Sequence, residues 1–282
     1  MRTNLLTKMK KIYHSLKSFF LISLPTFLII FLLLEFIVFR FILPASKFPK
    51  LEFEKEFSIL KPSINGDVQG VCTMGKWSKN KAKWYVNNHG WISKYDYHLD
   101  KDQPRIAIIG DSFVMSMEVD KENSFHHILH RKLKDSIDVY SFGMAGSPLS
   151  NYLHVAKHVV AKFNPDVLLI NIVFNDFIES IYDYAHHSTR RHFWTYQMSN
   201  KSLINEIAPD NLSLYEGRLN RLLKSCATGR YLYHNLKIFT LRKYFKKRTY
   251  TKNESTLPLS SNPDTKRQLI KSVVEYTLNK LV

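Results

Sequence analysis

The chain has 282 residues, 45% of them hydrophobic and 23% charged, with a formal charge of +17. That size holds one ordinary domain with appendages, and the composition excludes a disordered chain. The charge is uneven. Residues 182–282 hold 18 Lys/Arg against 7 Asp/Glu, and the first eighteen residues hold Arg2, Lys8, Lys10, Lys11 and Lys17 with no acid. Such a surface can attract nucleic acid, anionic lipid or acidic polysaccharide. No nucleic-acid motif accompanies it, so no nucleic-acid partner is expected, and a solvated basic face beside a membrane is the plain reading.

Residues 1–18 read as a basic tail. Phe19 to Phe39 is a mostly apolar run interrupted by Ser23, Pro25, Thr26 and Glu35. At about 1.5 Å per residue it reaches roughly 30 Å, enough to cross a hydrocarbon core. The expectation is a transmembrane anchor over 19–43. The basic flank keeps the N-terminus cytoplasmic and places the rest outside, as in a bacterial inner-membrane protein facing the periplasm. A signal peptide cut near Pro44-Ala45-Ser46 is the competing reading. Residues 44–102 read as a juxtamembrane linker (47–61) followed by a lead-in segment rich in Gly, Asn, Trp and Tyr. Cys72 and Cys226 either pair in an oxidising compartment or remain two buried thiols. Neither has metal-ligand spacing with the twelve histidines, so no metal and no cofactor is expected.

From residue 103 the pattern alternates strand and helix. Arg105 to Gly110 is an apolar run ending on glycine. A first crossover helix is expected over about Glu122 to Lys134, with Phe125, Ile128, Leu129 and Leu133 on its apolar face. A second strand spans Ile137 to Gly146 and ends on glycines, and a second helix Leu149 to Phe163 carries Leu153, Val155, Ala156, Val159 and Val160. His126, His127, His130, His154 and His158 fall on these helices as surface or packing residues. Pro165 resets the chain for a third strand over Asp166 to Ile172. Residues 182–263 form an irregular basic insertion. Within it, a helical stretch near Leu214 to Phe245 offers Leu219, Leu222, Leu223, Leu232 and Leu236 to a core. A last helix runs from about Pro263 to Leu281. The alternation predicts an α/β fold with a three-layer, flavodoxin-like parallel sheet in strand order 2-1-3. Only three strands are readable, and the third would have a naked edge, which predicts a C-terminally incomplete domain over 103–282.

Three short blocks carry chemistry. Gly110-Asp111-Ser112 puts a hydroxyl just past the first strand. Met144-Ala145-Gly146 closes the second strand, and Phe174-Asn175-Asp176 follows the third. In order and spacing they resemble the SGNH (GDSL-type) hydrolase family, with Val86-Asn87-Asn88-His89-Gly90-Trp91 similar to a segment that precedes the domain in membrane-linked members. The resemblance is good over about 84–181 and thins afterwards, and Val173 stands where the family usually has glycine. It implies Ser112 as nucleophile, and an oxyanion hole from the Ser112 and Gly146 backbone N–H groups and the Asn175 amide. Asp111 and Asp176 read as turn-holding acids. Each block has a plainer alternative: Ser112 or Asn175 as helix caps, Gly146 as a strand terminator.

A serine nucleophile needs a base within hydrogen-bond reach. The family's last block is Asp-x-x-His near the C-terminus. Its only match here is Asp183-Tyr184-Ala185-His186, just after Asn175, with His187 and His192 as weaker candidates in the same stretch. The resemblance implies a membrane-anchored serine esterase or O-acyl (acetyl) transferase acting on surface carbohydrate. The base is expected beyond residue 282, with this chain a fragment or truncated product, and its absence predicts feeble or no ester turnover. The alternative is a non-catalytic or truncated membrane protein that keeps the fold for binding or assembly.

Overall fold

The structure is a computed structural model that describes residues 13–14, 17–54, 56–182, 192–199, 202–209, 224–238 and 263–281. The chain divides into two compact units. One comprises residues 1–46, 73–79 and 216–245; the other comprises 47–72, 80–215 and 246–282.

The larger unit is built on a three-stranded parallel sheet. Its strands are β5 (Arg105–Gly110), β6 (Asp138–Gly143) and β7 (Val167–Ile170), ordered β6-β5-β7. The strand entered first therefore lies in the middle. The register pairs Gly110 with Gly143 and Ile109 with Ile170, so all three strands end at nearly the same level. Side-chain alternation sends the two faces of the sheet to different helices. Ile106, Ile108 and Val139 meet Leu129 and Leu133 of α3 (Phe125–Leu133). Ala107, Ile109, Tyr140 and Phe142 share a core with Leu149, Tyr152, Leu153 and Val155 of α4 (Leu149–His158). Helices on opposite faces of a parallel sheet give the expected α/β sandwich. Pro165 precedes β7 as anticipated, and Val167 and Leu169 on β7 are exposed.

The first crossover helix keeps half of its expected apolar face: Leu129 and Leu133 pack on the sheet, whereas Phe125 and Ile128 are exposed and His126 and His127 are buried. Polar contacts accommodate His127. The His127 Nε2 accepts the Lys94 N–H at 3.1 Å, and its Nδ1 lies 2.9 Å from the Ser124 hydroxyl, so the ring is satisfied without water.

Four antiparallel strands lie within residues 44–102: β1 (Leu51–Glu54) with β2 (Ile59–Pro62), and β3 (Gln69–Met74) with β4 (Asn80–Tyr85). The basic region after residue 182 contains a further hairpin of β8 (Thr195–Ser199) and β9 (Ser202–Ile207), with a bulge at Gln197/Met198. The terminal helix, named α7 here (Pro263–Leu281), begins and ends where expected. It buries Leu269 and Val273 in the α4-side core, and its Thr277 hydroxyl lies 3.0 Å from the Tyr196 hydroxyl.

The smaller unit contains α1 (Phe19–Ile42), the one described helix long and apolar enough to cross a membrane. It also contains α6 (Ala227–Arg230), which runs on as a wider turn over Tyr231–Asn235. Of the leucines expected to anchor this stretch, Leu236 is exposed, and Leu219, Leu222 and Leu223 lie outside the described residues. Ala227 and Tyr231 are buried instead, against Phe39, Leu43 and Ala45. Cys226 accepts the Gly229 N–H at 3.2 Å, and no disulfide joins Cys72 and Cys226.

Candidate functional site

Ser112, Gly146 and Asn175 each follow the C-terminal end of a strand in one sheet, on loops that leave the same edge. Central β5 turns straight into α2 (Ser112–Met115). Asp111 caps that short helix, its Oδ1 accepting the Phe113 N–H at 2.9 Å. Ser112 thus occupies the first helical position rather than the cap. Its hydroxyl is half-buried and donates to Asp111 Oδ2 at 3.4 Å.

The strand-end glycines have a steric cause. A Cβ on Gly143 would stand 2.2 Å from the Met115 backbone nitrogen, and one on Gly110 would stand 2.3 Å from Val114 Cγ2. The helix that begins at Ser112 lies directly on the ends of β5 and β6, and only glycine admits it there. At its far end, Ser116 adopts a left-handed conformation (φ 46°). Buried Lys121 holds that turn, donating to the Met115 carbonyl at 2.8 Å, the Ser116 carbonyl at 2.7 Å and the Ser116 hydroxyl at 3.0 Å. Burial lowers its ammonium pKa to about 8, against the pull of Glu118. Sequence reasoning missed Lys121, because a lone lysine before a helix looks like any solvated cation.

Gly146 has φ +78°, the left-handed region that suits glycine, and the nearest atom to a Cβ there would be Phe193 Cε2 at 3.8 Å. Among the described residues, neither the Gly146 N–H nor the Ser112 N–H is hydrogen-bonded. Asn175 caps α5 (Asp176–Glu179) only with its backbone. Its amide Nδ2 donates to Glu179 Oε2 at 2.8 Å, so that donor is engaged within its own turn. Asp176 holds the loop, Oδ2 accepting the Val173 N–H at 2.8 Å and the Tyr152 hydroxyl at 2.9 Å. Both turn-holding acids act as anticipated. Phe113 and Phe174, adjacent to two of the site residues, are exposed.

No described histidine is hydrogen-bonded to Ser112. Asp183, His186 and His187 lie outside the described residues. The segment that follows them comes back to the Gly146 loop. Phe193 faces Gly146, the Ser150 hydroxyl donates to the Trp194 carbonyl at 2.6 Å, and the Trp194 N–H donates to Asn151 Oδ1 at 3.5 Å. His192, next to Phe193, is half-buried. The crossover-helix histidines sit elsewhere as packing groups. Burial takes His126 down to about 2 and His127 to about 4. Burial also lowers His154 to about 4, although Glu206 Oε2 is 2.9 Å from its Nε2; its ring stacks on Trp194 with centroids 3.7 Å apart. No group of His, Cys, Asp and Glu fit to hold a metal ion occurs among the described residues.

Comparison with known proteins adds one finding. The family model described as GDSL-like Lipase/Acylhydrolase matches residues 106–279. The match runs from β5 into α7, well past the point where the motif blocks stop. No curated protein and no solved structure matches the chain.

Proposed function

We infer the reaction from one premise: the chain belongs to the GDSL-like lipase/acylhydrolase family, which implies esterase-type activity. Ser112 is the proposed nucleophile. Its Oγ attacks the acyl carbon as its proton passes to a base. The carbonyl oxygen becomes an oxyanion, and collapse expels the alcohol and leaves an acyl-serine. Water or a second hydroxyl then takes the acyl group.

The observation that carries this reading is the pair of backbone donors, at Ser112 and Gly146, which have no acceptor among the described residues. Donors held ready for a developing charge need no rearrangement during reaction, and each is typically worth about 2.7–4 kcal/mol. The Asn175 amide would join them after leaving Glu179. The base is proposed to come from the 183–192 stretch, as His186 or His192. Support comes from the hydrogen bonds that fasten its downstream end to the loop 146–151.

The finer reading is an anchored enzyme outside the membrane that removes or transfers a small acyl group on surface carbohydrate. The exposed Phe113 and Phe174 offer apolar rings beside the site, and the basic second half suits an acidic polymer. Retention of α1 as an anchor is supported by its outer end, where Glu35, Phe39, Leu43 and Ala45 pack with residues 227–231. A processed signal peptide would have no such partners.

A second reading, a fold kept for binding without catalysis, is favoured by the Ser112 hydroxyl, which contacts only Asp111 among described groups. Hydrolysis of a p-nitrophenyl ester by the full-length protein in detergent distinguishes the two. Turnover lost in Ser112→Ala and in either His186→Ala or His192→Ala supports the esterase. Turnover equal in wild type and Ser112→Ala, with no fluorophosphonate labelling, supports the binding protein.

A further inference from the structure

Glu35 is the only acid in α1, about 24 Å along the axis from Phe19 at about 1.5 Å per residue. A hydrocarbon core about 30 Å thick would still surround the helix at that height. Yet the side chain is buried, 5% exposed. Its Oε1 accepts the Ala227 N–H and its Oε2 the Thr228 N–H, both at 2.8 Å, and the Arg40 guanidinium lies 3.3 Å from Oε1. A carboxylate in lipid is costly unless paired, and so are the open N–H groups of a helix end. Each here satisfies the other, which places the first turn of α6 at the depth of Glu35.

The contact continues outward along α1. Phe39 stacks on Tyr231 with centroids 4.3 Å apart. The Ser46 N–H donates to Asn235 Oδ1 at 3.1 Å, and the Asn235 amide donates to Thr73 Oγ1 at 2.8 Å and the Gly75 carbonyl at 3.2 Å. Residues 227–235 therefore run beside the outer end of the helix and tie the loop 73–79 to it.

We propose that residues 224–238 and the loop 73–79 form a collar seated in the membrane interface, with the headgroups of anionic phospholipid as its partner. The two segments carry Lys76, Lys79, Lys224, Arg230 and Lys237 and no acid. Trp77 is 60% exposed with the Lys76 ammonium 5.9 Å from its ring centre, and Met74, Leu236 and Ile238 are exposed. Exposed tryptophan and short apolar side chains suit the boundary of the acyl layer, while lysine and arginine reach the phosphates. The proposal rests on retention of α1 and is independent of the chemistry at Ser112.

The test places the full-length protein in lipid nanodiscs and reads the fluorescence of Trp77. Trp84 and Trp91 are buried, and subtracting a Trp77→Phe variant removes them together with Trp194. The Trp77 emission should be quenched by lipids brominated near the headgroup, and by brominated phosphatidylglycerol at a lower mole fraction than brominated phosphatidylcholine. That preference should fall about tenfold in Lys76→Gln/Lys79→Gln, since each cation near an anionic surface contributes a few-fold. It should also weaken in high salt. Absence of quenching by either lipid overturns the collar, and equal quenching by both overturns its partner. Recovery of the protein from cells as a chain lacking α1 overturns it as well.

Discussion

Gly143→Ala is the sharpest perturbation available at the nucleophile turn. The added methyl would lie 2.2 Å from the Met115 nitrogen, 2.6 Å from the Val114 carbonyl carbon and 2.8 Å from the Met115 Cα. All three are backbone atoms of α2, so no side-chain rotation relieves the clash. Reaching a contact of about 3.4 Å needs roughly 1.2 Å of movement by α2 or by the end of β6, and overpacking of this kind costs about 1–3 kcal/mol. At about 2–4 °C per kcal/mol for a domain of this size, Tm should fall by roughly 3–10 °C. A shift near 1 Å at a reacting atom costs about 10²-fold in rate, so ester turnover and fluorophosphonate labelling of Ser112 should drop by about that factor. Gly75→Ala is the control: its φ of +71° strains an alanine backbone, but nothing lies within 4 Å of the added methyl. It should lower Tm by a few degrees and leave turnover unchanged. If Gly143→Ala keeps wild-type Tm and labelling rate, α2 does not lie on the strand ends and the placement of Ser112 is wrong.

Other outcomes follow from the same geometry. Asn175→Ala should lower kcat by about 10²–10³ if its amide reaches the oxyanion, whereas Glu179→Ala, which releases that amide, should change kcat less than threefold; equal losses would make both merely structural. Lys121→Met removes three buried hydrogen bonds at Met115 and Ser116, and thermal unfolding should show about 1.5–3 kcal/mol lost. His127, with its folded pKa lowered by burial to about 4 against 6.5 unfolded, binds fewer protons folded than unfolded. It therefore contributes stability above pH 6.5 that is lost as pH falls from 6.5 toward 4. Tm measured across that window should decline, and a His127→Asn variant should decline less.

The central sheet was readable because its strands are apolar runs bounded by glycine or proline, and buried parallel strands leave that trace. The strand order follows from two crossovers of ordinary hand. The terminal helix was readable from its length and from the proline at its start. The hairpin 195–207 was not, because strands whose register depends on one bulge and on packing against Thr277 look irregular in sequence. The burial of His126 and His127 on α3 was missed for a related reason. Two adjacent histidines do not look like core residues, and the Lys94 N–H that His127 accepts comes from thirty-three residues away.

The site divides along the same line. The placement of Ser112, Gly146 and Asn175 after the ends of three strands of one sheet was legible because each is a local signal, a residue type at a strand end. What holds them is non-local. Gly143 is glycine because a helix begun thirty-one residues earlier crosses over it, and Lys121 is buried because it closes that helix. The base depends on how the chain returns after residue 182. A histidine reaches a serine hydroxyl through whichever loop the fold brings back, so spacing in sequence predicts its position poorly.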